Sequence, residues 1–379
     1  MDHVVARYGE IGIKSKSVRK RMVALLEKRI RQKLDRQEVE YEFLSKIQGR
    51  IVIKTLHSVD VSKIIAEVPG VVSTSPIILA GIDMKSIRIA SDKMEIRGDF
   101  GVRVNRSSAH EKTSGEVEKD IGERIQNRTK ASVNLRDPNT WVEIDIREKH
   151  SFIFSERNRG SGGFPVGSEG ALATLISGGI DSPVASYEVM TRGCDITPIY
   201  FYNRPMASED HIARFEEVLR VLTKFHPAKR WHYYIIDMEE VNTQLLEIER
   251  GRMVLHRMVM FRVAEGIAVE NGLNGIVTGE VIGQKSSQTP ENIAVTSSEV
   301  RLPVLRPLLT RRKEDIVEAA KKIGTFELAN MKSACSTLAP SNPATAMKMG
   351  EIELLKERVN FEELVAIAKK NIEKVTLKV

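Results

Sequence analysis

Cysteine is scarce in this sequence, which has two, Cys194 and Cys335, among 379 residues. Two cysteines in so long a chain do not form the disulfide framework of a small secreted domain. The sequence also lacks a Cys-x-x-Cys pair and any Cys/His cluster with the spacing of metal ligands. We therefore expect neither a structural zinc site nor a cysteine-held iron–sulfur cluster.

Long apolar runs and a targeting signal are missing as well. The longest uncharged apolar stretch, residues 70–81, contains Ser and Thr and is too short to span a bilayer. The first residues, 1–4, have neither the basic nor the apolar region of a signal peptide. With 41% hydrophobic and 29% charged residues, the composition is that of a globular protein. We therefore expect a soluble, cytoplasmic protein with no membrane partner.

Positive charge is unevenly placed along the chain. Residues 1–160 contain 31 Lys and Arg against 23 Asp and Glu, whereas residues 161–379 contain 27 against 28. A basic face on one part of a protein suits a polyanionic partner such as nucleic acid. A solvated Lys/Arg helix surface would give the same counts, so charge alone leaves both interpretations open.

The order of predicted elements indicates several α/β domains, because 379 residues are too many for one ordinary core. Residues 1–55 are predicted to form a strand, a helix and two strands. A second α/β segment follows, up to a Gly-rich stretch at 158–167 that we predict to be a linker. From residue 171 onward strands and helices alternate, which predicts a doubly wound parallel sheet with sites at the carboxyl ends of its strands. The strands are predicted at 171–176, 196–202, 231–237, 275–278 and 304–305, and the helices at 182–190, 208–225, 253–271 and 312–323.

The most informative segment is residues 177–182, Ser-Gly-Gly-Ile-Asp-Ser. It follows a predicted buried strand and precedes a predicted helix with Pro183 in its first turn. Such a turn offers backbone N–H groups to an anion, and Gly178 and Gly179 allow the main chain to approach a phosphate. Asp181 would repel that phosphate unless a cation such as Mg²⁺ lay between them. The segment resembles the pyrophosphate loop of ATP pyrophosphatases, and it lacks the closing Lys of G-x-x-x-x-G-K-[ST].

Further strings lie where such a sheet would place an active site. Tyr200-Phe201 ends the second strand, where an adenine commonly stacks, although both could be ordinary core residues. Arg257, on a largely apolar helix, could neutralise phosphate charge or serve only as an ion-pair partner. Residues 278–289 begin Thr-Gly-Glu and are rich in hydrogen-bond donors. Cys335 lies in a predicted polar loop, where a reactive thiol and a small buried side chain are both open interpretations.

Together these strings resemble the tRNA uridine 4-sulfurtransferase (4-thiouridine synthetase) family. The resemblance extends in order along almost the whole chain, through RYGEI at 7–11, GGFPVG at 162–167, SGGIDSPVAS at 177–186, TGEVIGQKSSQT at 278–289 and LRPL at 305–308.

The resemblance implies a three-domain α/β fold and an activity. The domains would be ferredoxin-like at 1–55, a THUMP RNA-binding domain at 56–160 and a PP-loop ATP pyrophosphatase domain with a doubly wound parallel sheet at 161–379. The activity would be ATP-dependent thiolation of the uridine at position 8 of tRNA, through an adenylated C4 oxygen. In many members the same sulfur also supplies the thiamine thiazole.

The resemblance further implies a role for each site residue. The pyrophosphate part of ATP would lie on the loop, with Asp181 fixing Mg²⁺ and Arg257 balancing charge. Gly279 and Gln288 would approach the nucleotide. The remaining residues that would frame or hold it are Leu175, Ile176, Ser177, Gly178, Gly179, Ser182, Tyr200 and Phe201.

Cys335 is the thiol that we expect to carry sulfur as a persulfide. Cys194 precedes a predicted strand at a turn where a small half-buried residue suffices, so we give it a structural role. Direct attack by free sulfide would need no cysteine, and this alternative stays open. The expected partners are tRNA, a sulfur donor (a cysteine desulfurase persulfide or sulfide) and a thiamine-pathway sulfur-carrier protein, and a homodimer is also compatible with the sequence.

Three features depart from the family pattern. The sequence ends at Val379, which leaves no room for the C-terminal rhodanese domain of some members. The extra cysteines that hold an iron–sulfur cluster in some archaeal-type members are missing, and residues 14–17 are Lys-Ser-Lys-Ser where Lys-Gly-x-Asn is usual. Two other functions stay open. One is a PP-loop amide-forming ligase, although the sequence shows no glutaminase-like Cys/His arrangement to supply ammonia. The other is an RNA-binding protein with an inactive loop, which the intact Ser-Gly-Gly-Ile-Asp-Ser sequence disfavours.

Overall fold

The structure is a computed structural model that describes residues 1–107, 111–329, 338–340 and 343–378. It divides into two compact units, Met1–Pro165 and Val166–Val379. Among the helices of the described ranges, none is long and apolar enough to cross a membrane.

The first unit is built on an eight-stranded sheet of order β2-β3-β1-β4-β7-β6-β5, with β8 paired to β4. Its elements are β1 (His3–Arg7), α1 (Lys16–Arg36), β2 (Phe43–Ile47), β3 (Arg50–Lys54), α2 (Ser58–Ala66), β4 (Ser73–Ala80), α3 (Met84–Asp92), β5 (Phe100–Arg106), α4 (Ser114–Thr129), β6 (Thr140–Ile146), β7 (Ser151–Phe154) and β8 (Asn158–Arg159).

Strand β4 joins two helix-covered cores in this unit. Its first half pairs with β1 and its second half pairs with β7, both antiparallel. Helices α1 and α2 pack on the core around β1 and β3, and α3 and α4 pack on the core around β5 and β6. The sequence pattern predicted α1 because its apolar residues recur at helical spacing. The buried positions are Met22, Val23, Leu26, Ile30 and Leu34.

The Gly-rich stretch predicted as a linker contains the boundary between the two units, but its first part is bonded to the first core. The N–H groups of Gly160 and Gly162 donate to the carbonyls of Val72 and Val71, each at 2.8 Å. A Cβ on Gly160 would collide with the carbonyl of Val71, so this glycine serves close main-chain packing rather than flexibility. Phe164 is buried in the same core. Composition alone does not separate these two uses of glycine.

The second unit contains a six-stranded sheet of order β13-β12-β9-β10-β11-β14. Its elements are β9 (Ala171–Leu175), α5 (Asp181–Thr191), β10 (Asp195–Tyr202), α6 (Glu209–Leu222), β11 (Arg230–Asp237), α7 (Glu239–Leu245), α8 (Arg252–Glu270), β12 (Ile276–Val277), α9 (Pro290–Ser297), β13 (Val304–Leu305), α10 (Lys313–Ile323), α11 (Met349–Arg358), α12 (Phe361–Lys370) and β14 (Ile372–Lys378).

The alternating pattern correctly predicted the parallel part of this sheet. Strands β9 to β13 pair in parallel, which confirms the doubly wound arrangement. Strand β14, which runs antiparallel to β11, was not predicted. It is a mostly exposed edge strand, so its apolar alternation is weak. The parallel strands bring the carboxyl ends of β9, β10, β12 and β13 to one edge, where the loop of residues 177–182 follows β9.

Candidate functional site

The loop between β9 and α5 is held by its own serines. The N–H of Ser177 donates to Ser182 Oγ at 2.8 Å, and the two hydroxyl oxygens are 3.1 Å apart. The N–H of Gly179 points to Ser177 Oγ at 3.3 Å. These bonds close a tight turn at the N-terminus of α5. The hydroxyls of Ser177 and Ser182, two residues predicted to hold the nucleotide, therefore shape the loop in this structure. Backbone N–H groups at a helix N-terminus are suited to an anion.

Two glycines allow other groups to lie directly against this loop. A Cβ on Gly279 would lie 2.7 Å from the nitrogen of Ser182, so the end of β12 packs on the first turn of α5 only because residue 279 is glycine. A Cβ on Gly178 would collide with the guanidinium of Arg214 from α6. A cation that the sequence analysis missed therefore lies beside the loop.

Asp181, the first residue of α5, is bound by two side chains from distant parts of the chain. Lys313 Nζ donates to Oδ1 at 2.6 Å, and Gln284 Nε2 donates to Oδ2 at 2.8 Å. Lys313 begins α10, and Gln284 lies in the segment after β12. Neither was predicted. The sequence signal for Lys313 was only a basic run at a predicted helix start, which does not distinguish it from Arg311 and Arg312.

The residues predicted to frame the adenine line one small cavity of about 80 Å³. The Tyr200 ring stacks on Phe215, with centroids 4.6 Å apart, whereas Phe201 packs in the core on the other face of the sheet. Successive residues of a strand point to opposite faces, so the two rings cannot stack side by side on one base. The cavity is lined by Leu175, Ile176, Ser177, Gly178, Gly179, Ile199, Tyr200, Phe201, Asn203, His211, Arg214 and Met260.

Arg257 is part of a buried charge cluster at the end of β12. Its NH1 donates to Glu280 Oε1 at 2.9 Å, and Arg306 Nε donates to Glu280 Oε2 at 2.7 Å. Burial alone would raise the pKa of Glu280, but the two guanidinium groups and a hydrogen bond from Thr278 lower it overall. Glu280 is therefore ionised, and the cluster has two positive charges against one negative charge. Neither Glu280 nor Arg306 had a role predicted from the sequence.

Buried polar side chains also lie next to Asn203, which lines the cavity. His256 Nε2 is 2.9 Å from Asn203 Oδ1, and Asn242 Nδ2 donates to the carbonyl of Arg204 at 2.9 Å. Burial, with a smaller contribution from the charge of Arg257, lowers the pKa of His256 to about 3. The ring is therefore neutral at physiological pH and donates to Asn203.

Gln288 lies in the same segment as Gln284, but no hydrogen bond joins it to the loop in the part of the chain that the structure describes. It closes a 3-10 turn, Ser286–Gln288, and its carbonyl accepts from the N–H of Gly283 at 3.0 Å. Its side chain is only 7% exposed, and its Oε1 has no hydrogen-bond partner within the described ranges.

The structure describes only one of the two cysteines. Cys335 lies outside the described residues. Cys194 is half-buried, with its Sγ 3.7 Å from the carbonyl of Glu169. Burial, followed by the nearby charge of Glu169, raises the pKa of the Cys194 thiol. A thiol that stays protonated is a poor nucleophile.

Models of known protein families match three parts of this sequence. The family model "Thiamine biosynthesis protein (ThiI)" matches residues 167–361. The models "ThiI ferredoxin-like domain" and "THUMP domain" match residues 3–75 and 85–156.

Curated relatives and a solved structure agree with these matches. A tRNA sulfurtransferase of Thermoplasma acidophilum is 36% identical over 96% of this chain and 75% of its own. A probable tRNA sulfurtransferase of Halobacterium salinarum is 33% identical over 97% of this chain and 96% of its own. The crystal structure of a 4-thiouridine synthetase–RNA complex with bound ATP matches with a TM-score of 0.86 and 29% identity over the full length of both chains. The resemblance predicted from the motifs is confirmed, and the chain belongs to the ThiI family of tRNA sulfurtransferases.

Proposed function

We propose that this chain transfers sulfur to the uridine at position 8 of tRNA in an ATP-dependent reaction that yields 4-thiouridine. The observation that carries the proposal is the loop of residues 177–182, whose Asp181 is paired with Lys313 at the carboxyl edge of a parallel sheet. The likeness to a 4-thiouridine synthetase with bound RNA and ATP supports it.

The chemistry needs activation of a poor electrophile. The C4 oxygen of uridine attacks the α-phosphorus of ATP, the bond to the β-phosphate oxygen breaks, and pyrophosphate leaves. Sulfide then adds to C4, and AMP departs with the original oxygen. A persulfide would add through its outer sulfur in the same way and leave a disulfide between the C4 sulfur and the carrier cysteine. A second thiol would attack the carrier sulfur, form a new disulfide with it and release 4-thiouridine. Backbone N–H groups of Gly178 and Gly179, with the cations Lys313 and Arg257, would stabilise the charge that develops on the phosphates.

The nucleotide would lie along the carboxyl edge of the sheet. Leu175, Ile176, Tyr200 and Phe201 would frame the adenine and ribose, chiefly through their main chain, because both rings are packed in the cores. The orphaned Oε1 of Gln288 would accept a hydrogen bond from a nucleotide hydroxyl or amino group, which would satisfy a buried acceptor.

Mg²⁺ fits this site only together with the nucleotide. The described residues contain no group of three or more His, Cys, Asp and Glu side chains that could hold a metal ion. Magnesium is commonly held by one or two carboxylates plus substrate phosphates, and Asp181 would supply one such carboxylate. Bound there, the ion would neutralise phosphate charge. Lys313 already provides one positive charge at this carboxylate.

The tRNA would be bound by its backbone and shape through the basic part of the chain. The domains of the chain would be residues 1–55, 56–160 and 161–379, and the first two would bind the RNA. A-form RNA hides its base edges, so the target uridine would have to leave its stack to react.

Sulfur delivery follows activation of the uridine. Cys335 would carry a persulfide from a cysteine desulfurase, and free sulfide is the alternative donor. The matching family description, "Thiamine biosynthesis protein", also favours a role in supplying sulfur to the thiamine thiazole through a sulfur-carrier protein. Transfer of labelled sulfur from a persulfide donor to such a carrier would test that role.

The main proposal is tested with purified chain, ATP, Mg²⁺, sulfide and unmodified tRNA. We expect AMP and 4-thiouridine in equal amounts, and neither with a tRNA that has cytidine at position 8. AMP formation that is independent of tRNA, or that requires an amine acceptor, would support a PP-loop ligase instead. Tight tRNA binding without AMP formation would indicate an RNA-binding protein with an inactive loop.

A further inference from the structure

Glu280 connects two parts of the proposed site. Its carboxylate is 1% exposed and accepts hydrogen bonds from three side chains, those of Arg257, Arg306 and Thr278. The residue before it, Gly279, lies against the main chain of Ser182 in the loop of residues 177–182, here called the phosphate loop. The Glu280 side chain therefore contacts Arg257 directly, next to the residue that packs on the loop.

The two arginines that Glu280 binds are held differently. Arg306 uses all three of its nitrogens: Nε bonds to Glu280, NH2 to Ser297 Oγ at 2.8 Å and NH1 to the carbonyl of Val304 at 3.3 Å. Arg257 bonds only through NH1 to Glu280, among the residues that the structure describes. Arg306 therefore anchors the carboxylate, and the carboxylate orients Arg257.

The charge of this cluster favours an anion. Two guanidinium groups, 9% and 18% exposed, share one buried carboxylate, so one positive charge has no negative partner among the described residues. Burying unbalanced charge is costly, so an arriving phosphate would find a site that already needs a negative partner. The remaining donors of Arg257 suit that contact, since a guanidinium has five N–H groups in a rigid plane.

We infer that Glu280 is a positioning residue for the adenylation step, which holds the Arg257 guanidinium in one orientation for the phosphates of ATP and is itself anchored by Arg306. The inference rests on the proposed function. It assigns Glu280 no contact with the nucleotide, so its effect passes through Arg257.

The test is steady-state AMP formation by the full chain with unmodified tRNA. Glu280→Gln keeps the shape but removes the charge, and we expect kcat to fall about 10- to 100-fold because small misplacements of catalytic groups have effects of this size. The KM for ATP should stay within about threefold, since the lost interaction belongs to the transition state. Arg306→Lys, which loosens the anchor and keeps the charge, should show a smaller fall in kcat of the same kind.

A matched control separates positioning from stability. The Glu299 side chain is 7% exposed and is likewise paired with two cations, Arg262 and Lys356, which belong neither to the loop nor to the Glu280 cluster. Glu299→Gln should lower the Tm as much as Glu280→Gln does and leave kcat unchanged. If both variants lose activity only in proportion to their loss of folded protein, the role of Glu280 is structural and the inference is overturned.

A double-mutant cycle gives the sharpest outcome. In an Arg257→Ala background, Glu280→Gln should change kcat by less than about threefold, because the residue through which it acts is already gone. Equal losses from Glu280→Gln in both backgrounds would overturn the inference while leaving the proposed function intact. A wild-type chain that forms no tRNA-dependent AMP would contradict the proposed function and the inference with it.

Discussion

Lys313 Nζ lies 2.6 Å from Asp181 Oδ1, so the one carboxylate of the phosphate loop is paired with a cation from the same chain. An acidic residue beside a phosphate site needs a positive neighbour, and sequence analysis expected Mg²⁺ in that place. In this structure the neighbour is a lysine at the start of α10. The pair joins α5 to α10 and sets the charge of the loop before any nucleotide binds.

Replacing Lys313 with Gln should lower the rate of AMP formation about 100-fold, the size of effect seen when one charge-stabilising donor is removed from an active site. The neighbouring Arg312→Gln is the matched control, because Arg312 is exposed and pairs with Asp315 on its own helix. Equal activities of the two variants, measured as AMP released with saturating tRNA, would remove Lys313 from the mechanism.

Replacing Gly279 with Ala should disturb the loop directly. The new Cβ would lie 2.7 Å from the nitrogen of Ser182 and 2.8 Å from its Cα. We expect a loss of about 1–3 kcal/mol in the free energy of unfolding, as for other overpacked sites, together with weaker ATP binding. Gly350→Ala lies in α11, and no atom of the described residues outside that helix and the adjacent residues comes within 4 Å of the new Cβ. This variant should stay within about 1 kcal/mol of wild type and bind ATP normally. Unchanged ATP affinity in Gly279→Ala would show that the close contact is dispensable.

His256 should make the stability of the chain fall in acid. Its pKa is lowered from 6.5 to about 3 by burial and by Arg257. The unfolded chain takes up a proton on this residue below pH 6.5, whereas the folded chain does so only near pH 3. Stability is therefore full above pH 6.5 and is lost as the pH falls toward 3, with a slope of up to about 1.4 kcal/mol per pH unit.

Urea unfolding of the full chain at pH 7, 5.5 and 4.5 measures that slope. In His256→Gln the dependence on pH should be flatter by about one proton. His232→Gln is the control, because the His232 ring is exposed and bonded to Thr376. Identical slopes in wild type and His256→Gln would mean that the buried ring does not resist protonation.

Binding of tRNA should depend on the exposed basic residues of α1. Lys20→Glu with Lys28→Glu should weaken tRNA binding and reduce the slope of log K against log salt by about 2, one per lost phosphate contact. The matched control is Lys321→Glu with Lys322→Glu, on the exposed face of α10, which makes the same charge change in the other unit. This control should alter neither the affinity for tRNA nor the salt slope. Equal effects of the two pairs would mean that the basic excess is a solvated surface.

Local signals made the loop and the sheet predictable. A buried strand, a Gly-containing turn and a helix with Pro183 in its first turn occur within a few residues, so residues 177–182 could be identified without long-range information. The alternating pattern gave the parallel strands in the same way.

Side-chain partners were not predictable, because they come from far along the chain. Gln284 and Lys313 are 103 and 132 residues from Asp181, and only the packing of α5, α10 and the end of β12 brings them together. Arg306 was likewise not predicted as a site residue. It belongs to the LRPL string, but its contact with Glu280, 26 residues away, is visible only in the structure. Tyr200 and Phe201 were correctly placed at the end of a strand, yet alternation sends their rings into different cores.

The central chemical event of the proposed reaction is the transfer of the uridine C4 oxygen to AMP at the loop that contains Asp181. A tRNA labelled with ¹⁸O at C4 of the uridine at position 8 tests it directly in a single turnover with ATP and sulfide. The account predicts one ¹⁸O in each AMP and one 4-thiouridine for each AMP with wild type, and neither product with Asp181→Asn. Asp315→Asn, an exposed carboxylate on α10, should behave as wild type. AMP without ¹⁸O, or wild-type yields from Asp181→Asn, would contradict the account.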